Sequence, residues 1–186
     1  MARRNEHRPS AAASTSKFEV RMSKERGSAL SHVDARGRVR MVDVGPKAET
    51  VREAVASGSI RMNAAAVRAI RTRQVAKGDP LQTARIAGML AAKRTSDLIP
   101  LCHPLPLTHV DVDLRPRRHG YDITARVGTV GRTGVEMEAL VAVSVAALTL
   151  YDMLKALDRA MVIGPIQLDA KRGGRSGVYR RRAAGS

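Results

Sequence analysis

The chain has 186 residues, a formal net charge of +16 and a hydrophobic fraction of 44%, enough apolar material for one domain with a real core. Aromatic residues make up 2%, Trp is absent and Cys102 is the single cysteine. This excludes a base-stacking single-strand binder, a disulfide framework, and a Cys-based zinc or iron–sulfur site built within one chain.

A charge of this size suggests nucleic acid or a polyphosphate substrate. Its position matters more than its size: 10 of the 16 charges fall in residues 1–28 and 171–186. The single cysteine fits a reducing, cytoplasmic setting.

Residues 1–29 read as a disordered basic extension, polar and without a hydrophobic period. No apolar run follows its basic start, so it is not a secretory signal, and Glu6, Glu19 and Glu25 count against a transit peptide. A single folded domain is expected over residues 30–177, followed by a basic tail at 178–186. The longest apolar stretch, residues 139–151, is too short to cross a bilayer of roughly 30 Å.

Within the domain, residues 39–44 alternate and predict a strand that ends at the turn Gly45-Pro46. Residues 48–56 predict a helix with Arg52 on its surface, and residues 59–62 a short strand. Asn63 suits the N-cap of a helix over residues 64–74. Lys77-Gly78-Asp79-Pro80 is a turn in which Asp79 caps the next helix and Pro80 fills its first position. That helix should run over residues 80–95. Ala84, Gly88 and Ala92 form a small-residue stripe along it, which suits either intramolecular packing or a subunit interface.

Three prolines in residues 99–107 predict a stiff, extended loop. Residues 107–114 and 121–130 predict two strands of an antiparallel hairpin. Gly134 opens the longest helix, residues 135–159, apolar nearly all round and therefore buried. Gly164-Pro165 breaks the chain, and residues 166–170 are a last strand. Strands and helices mix without a βαβ rhythm, so the predicted class is α+β, a mainly antiparallel sheet with helices on one face.

No phosphate-binding P-loop or dinucleotide fingerprint is present, and no His pair has metal-ligand spacing. Cys102 and His103 lie in the proline-braced loop. They are either a buried Cys with a satisfied His, or side chains presented to a ligand. Asp152 and Lys155 share a helix face at i and i+3, either as an ordinary ion pair or as a pair set up for acid–base work. Glu136 and Glu138 suit the positive end of their helix. The loop Lys171-Arg172-Gly173-Gly174-Arg175-Ser176-Gly177 is either a flexible basic segment or an anion cradle.

Two runs carry a resemblance: Lys93-Arg94-Thr95-Ser96-Asp97-Leu98-Ile99-Pro100-Leu101-Cys102-His103-Pro104 and Thr133-Gly134-Val135-Glu136-Met137-Glu138-Ala139-Leu140. Three further stretches agree with them: Met41-Val42-Asp43-Val44 with Ala48-Glu49-Thr50-Val51-Arg52; Lys77-Gly78-Asp79; and Tyr151-Asp152-Met153 with Lys155. Together they resemble the MoaC family, the cyclic pyranopterin monophosphate synthases of molybdenum cofactor biosynthesis.

The resemblance implies a ferredoxin-like fold and a lyase reaction. In that reaction 3′,8-cyclo-7,8-dihydroguanosine 5′-triphosphate, made by an upstream radical cyclase, becomes cyclic pyranopterin monophosphate with release of pyrophosphate. It implies a homohexamer, a trimer of dimers with sites between subunits, and no need for a membrane or nucleic acid. Carried over by motif, Asp152, Lys77 and Lys155 are catalytic. Leu101, Cys102, His103, Glu136, Met137, Glu138, Arg52, Lys93 and Lys171 contact substrate. No resident cofactor is implied; a divalent ion can accompany the triphosphate.

On this reading, lysines with lowered pKa beside a carboxylate shuttle protons, and Asp152 orients or tunes Lys155. Two rival readings are a basic RNA-binding protein and a non-catalytic subunit of a pterin-pathway complex.

Overall fold

The structure, a computed structural model, describes residues 37–182. The expected disordered extension and the last residues of the tail lie outside them. In chain order the elements are β1 (Thr50–Arg61), α1 (Ala64–Arg71), α2 (Pro80–Lys93), α3 (Thr95–Leu98), β2 (Leu107–Arg117), β3 (Gly120–Gly131), α4 (Glu136–Leu154), β4 (Val162–Ile163), β5 (Gln167–Arg172) and β6 (Tyr179–Arg180).

The sheet order is β2-β3-β1-β5-β6, with β4 paired to β1, and every pairing is antiparallel. Taking β1, α2, β2, β3, α4 and β5 as the frame gives a β-α-β-β-α-β unit, the ferredoxin-like arrangement. The helices pack on one face: α4 lies against β1, β3 and β5, while α2 lies against β2 and α4.

The predicted helix over residues 48–56 is a strand. Its Ala, Glu and Arg suit a helix locally, but β1 is hydrogen-bonded on both sides, to β3 in register from Thr50↔Gly131 to Arg61↔Gly120 and to β5. Ala54, Ala56, Gly58 and Ile60 are buried in alternation. That period of two fits a central strand, and its small side chains let α4 come close. Tertiary packing overrides helix propensity here.

Residues 39–44 also differ from expectation. Only Val39 makes a bridge-type pairing, and residues 40–44 form no strand. Val39 and Met41 are exposed, so among the described residues no core covers the apolar side of the alternating segment.

The caps read from sequence are present. Asn63 Oδ1 accepts from Ala66 N at 2.8 Å, and Asp79 Oδ1 accepts from Leu81 N and Gln82 N at 2.9 and 3.1 Å. The small-residue stripe of α2 packs within the chain: Ala84, Gly88 and Ala92 are buried. A Cβ built on Gly88 would lie 2.9 Å from the Ala142 carbonyl oxygen of α4, so only glycine permits this approach.

α4 stops at Leu154 rather than near residue 159. Asp158 turns the chain back by accepting from Asn63 N at 2.7 Å and Ala160 N at 2.9 Å. The segment read as a tail begins with β6, which pairs with β5.

Candidate active site

The apolar middle of α4 is driven into the core: Ala139, Ala142, Val143, Ala146, Ala147, Leu150 and Leu154 are fully buried. Burial fixes the helix and so fixes the polar groups at its two ends.

At the C-terminal end, Asp152 is exposed on the last turn and Lys155 follows as the C-cap. Lys77 arrives from the loop between α1 and α2, where Gly78 N donates to Val75 O at 3.0 Å and closes a turn. Lys77 Nζ donates to Asp152 Oδ2 at 2.8 Å and to Asp152 O at 2.9 Å. Lys155 Nζ lies 2.8 Å from Asp152 Oδ1. One carboxylate therefore bridges two ammonium groups from separate segments. The Lys155 and Lys77 hydrogen bonds pull the Asp152 carboxyl down to about 2. In return, the Asp152 carboxylate holds the Lys155 ammonium above its ordinary value.

This corrects the sequence expectation of a lowered lysine pKa at Lys155. The lowering would need burial, and Lys155 is exposed with an opposite charge beside it. Lys155 is therefore protonated at rest.

At the N-terminal end, Glu138 is 4% exposed, and burial lifts its carboxyl to about 7. The loop after α3 brings Leu101, Cys102 and His103 to a half-buried position. It is pinned by Cys102 N donating to Ile99 O at 3.0 Å and by Thr129 Oγ1 donating to Pro106 O at 2.7 Å. Burial, with the nearby Glu138 charge, pushes the Cys102 thiol up. Cys102 is thus kept as a neutral thiol, not an activated nucleophile. Met137 and Glu136 are half-buried on the first turn of α4, and Lys93 is exposed at the end of α2 remote from Lys77.

Beside this end lies a cleft of about 460 Å³ lined by Arg52, Lys47, Arg132, Glu136, Arg175 and Ser176, among others. Arg52 is anchored by Nε donating to Gly131 O at 2.8 Å and Nη2 donating to Arg132 O at 3.1 Å. The glycine loop closes over it. Gly173 and Gly174 have φ of +95° and +71°, and a Cβ on Gly174 would sit 2.2 Å from Arg52 Nη1. Lys171 Nζ donates to Ser176 Oγ within that loop.

Of the cations here, the sequence points to Arg175 only as part of the Lys171–Gly177 loop, and it does not point to Lys47 or Arg132. Both of these follow glycine turns, Gly45-Pro46 and Gly131, which composition alone does not separate from an ordinary loop. Among the described residues, no group of three or more His, Cys, Asp or Glu gathers as a metal site.

The sequence-predicted residues therefore fall into two groups. Asp152, Lys77 and Lys155 meet at one end of α4. Glu136, Met137, Glu138, the Leu101–His103 loop and Arg52 gather toward the other. From residue 138 to residue 152 the helix rises about 21 Å, so one chain does not bring the groups together.

The fold and site define a ferredoxin-like α+β protein with ionisable side chains collected at both ends of one buried helix, beside a strongly cationic cleft. The chain belongs to the MoaC family, whose model matches residues 41–174. It is similar to a cyclic pyranopterin monophosphate synthase of Thermomicrobium roseum, 59% identical over 154 residues, 82% of this chain and 93% of the relative. A protein of the same name from Roseiflexus sp. strain RS-1 is 60% identical over 154 residues, 82% of this chain and 98% of the relative. Cyclic pyranopterin monophosphate synthase 1 of Mycobacterium tuberculosis is 59% identical over 157 residues, 84% of this chain and 92% of the relative.

Proposed function

We propose that this protein is a cyclic pyranopterin monophosphate synthase, a lyase of molybdenum cofactor biosynthesis. It converts 3′,8-cyclo-7,8-dihydroguanosine 5′-triphosphate to cyclic pyranopterin monophosphate and releases pyrophosphate. The observation that carries the residue assignment is the bridged group Lys77–Asp152–Lys155, with both lysines within 2.8 Å of one carboxylate.

Asp152 stays ionised at any working pH and fixes both ammonium groups in space. Lys155, held protonated, acts first as an acid; it becomes a base only after it has given its proton to the substrate. Opening the imidazole-derived ring and rebuilding the pterin needs several such transfers, each worth typically 10²–10⁴ in rate. Arg52, Lys93 and Lys171 oppose the triphosphate and stabilise the departing pyrophosphate. The purine is held by the Leu101–Cys102–His103 loop with Glu136, Met137 and Glu138. Any divalent ion travels with the triphosphate rather than residing on the protein.

The length of α4 supports a site completed by a second copy, whose Asp152 end faces this chain's Glu138 end, as in a homohexamer built from dimers. The substrate is supplied by radical cyclisation of GTP, and the reaction is placed in the cytoplasm.

The test is pyrophosphate release from the cyclised substrate. Lys77→Ala and Lys155→Ala should each lose at least about 10² in kcat. Wild-type turnover in both would overturn the assignment. Mixing inactive Lys155→Ala chains with inactive Glu138→Ala chains should restore part of the activity if the site is shared, and none if each chain works alone.

A further inference from the structure

The face of the sheet opposite the helices carries its own charged cleft. Odd-numbered residues of β1 point there, since Ala54, Ala56, Gly58 and Ile60 are buried on the helix side. Glu53 lies opposite Arg172 in the β1–β5 register and reaches Arg126 on β3. Glu53 Oε1 is 2.7 Å from Arg126 Nη1, and Glu53 Oε2 is 2.8 Å from Arg172 Nη2. A cleft of about 460 Å³ opens over this clamp, lined also by Lys171, Arg180 and Val178.

Elsewhere on this face charges pair off nearly one for one. Arg115 takes Asp113 and Arg117 takes Asp122. Here Arg126 and Arg172 share one carboxylate with Arg180 beside them, and both oxygens of that carboxylate are already engaged. A guanidinium has five N–H donors. Each arginine gives one terminal nitrogen to Glu53, which leaves the rest of both planar forks for a ligand. Glu53 also fixes the two planes, so less side-chain freedom is lost when an anion arrives. Paired, oriented arginines match the tetrahedral oxygens of phosphate better than lysines do.

We propose that the cleft bounded by Arg126, Arg172 and Arg180 on the open sheet face is a second anion site that takes a small phosphate-bearing ligand. It is separate from the Arg52 cleft: Arg52 and Glu53 are neighbours on β1 and point to opposite faces of the sheet. The site itself stands apart from the proposed reaction. Only the choice of pyrophosphate as its natural ligand rests on that reading, since the reaction would release this ion close by.

The experiment is a calorimetric titration of the full chain with inorganic pyrophosphate at fixed ionic strength, with parallel titrations of orthophosphate and GTP. In an Arg52→Ala background, which weakens the helix-side cleft, pyrophosphate binding should persist. Adding Arg126→Ala or Arg172→Ala should then weaken it at least about tenfold, the loss expected for one charged hydrogen bond. The Arg126→Lys, Arg172→Lys chain, which keeps the charge and removes the forks, should fall between. Tighter binding of pyrophosphate than of GTP identifies the released product as the ligand, and the reverse identifies a nucleotide tail. Titrations unchanged by Arg126→Ala and Arg172→Ala, or no binding of any of the three ions in the Arg52→Ala chain, would overturn the site. Turnover of the cyclised substrate, measured separately in the Arg126→Ala, Arg172→Ala chain with Arg52 intact, should be retained, which distinguishes this outcome from failure of the synthase reading.

Discussion

Replacing Glu138 by Gln should stabilise the protein, and increasingly so as pH rises. The carboxyl is 4% exposed. Burial raises its pKa from 4.5 to about 7, and the negative charge of Glu136 adds to the rise. In the unfolded chain the proton leaves near the ordinary value, so between the two values the folded state holds more protons. Stability therefore falls with rising pH across that window. The penalty is absent below 4.5, complete above about 7, and amounts to about 3 kcal/mol at 1.36 kcal/mol per pH unit.

Gln has the same shape and cannot ionise, so its advantage over Glu should widen by about 3 kcal/mol between pH 4.5 and pH 8. For a domain of this size that is about 6–12 °C in Tm, at roughly 2–4 °C per kcal/mol. Thermal melts of both chains across that range, at one protein concentration because assembly shifts Tm, give the answer. A difference between the variants that does not change with pH would refute the reasoning, because it would mean that Glu138 ionises as it does in water.

Three further outcomes follow from particular contacts. Asn63→Ala removes the cap on α1 and the Nδ2 hydrogen bond to Leu157 O, and should cost about 0.5–2 kcal/mol in urea unfolding; an unchanged midpoint would refute it. Gly88→Val pushes a branched side chain into the Ala142 carbonyl and should destabilise by about 1–3 kcal/mol, whereas a more stable variant would show that α2 and α4 can separate without loss. Cys102, with its thiol pushed up by burial and by Glu138, should alkylate with iodoacetamide at pH 7.5 well below the rate of a free cysteine peptide, and a rate equal to the peptide's would show that the thiol is neither buried nor near Glu138.

Local chemistry was enough to place several elements. Asn63 and Asp79 mark helix starts because their side chains satisfy backbone N–H groups that no helix can pair internally. The alternation around Val112 and Leu114 marks β2, and the continuous apolar run marks α4, since burial on nearly all sides needs no partner-specific pattern. The resemblance of the Leu101–His103 and Glu136–Glu138 runs to a known family supplied the candidate site residues, which spacing alone left open between bland and functional readings.

What tertiary structure decided is where neighbours outvote local preference. Residues 50–56 mix the helix formers Arg, Glu and Ala with β-branched Thr and Val, and they become part of β1 because β3 and β5 supply hydrogen bonds on both sides. Lys77 meets Asp152 across 75 positions of sequence, a distance no periodicity reveals. The pKa of Lys155 moves up rather than down because exposure and an adjacent carboxylate, not burial, set its surroundings. The opposite directions of Arg52 and Glu53, one over the helix-side cleft and one under the open face, follow from a strand that the sequence alone read as a helix.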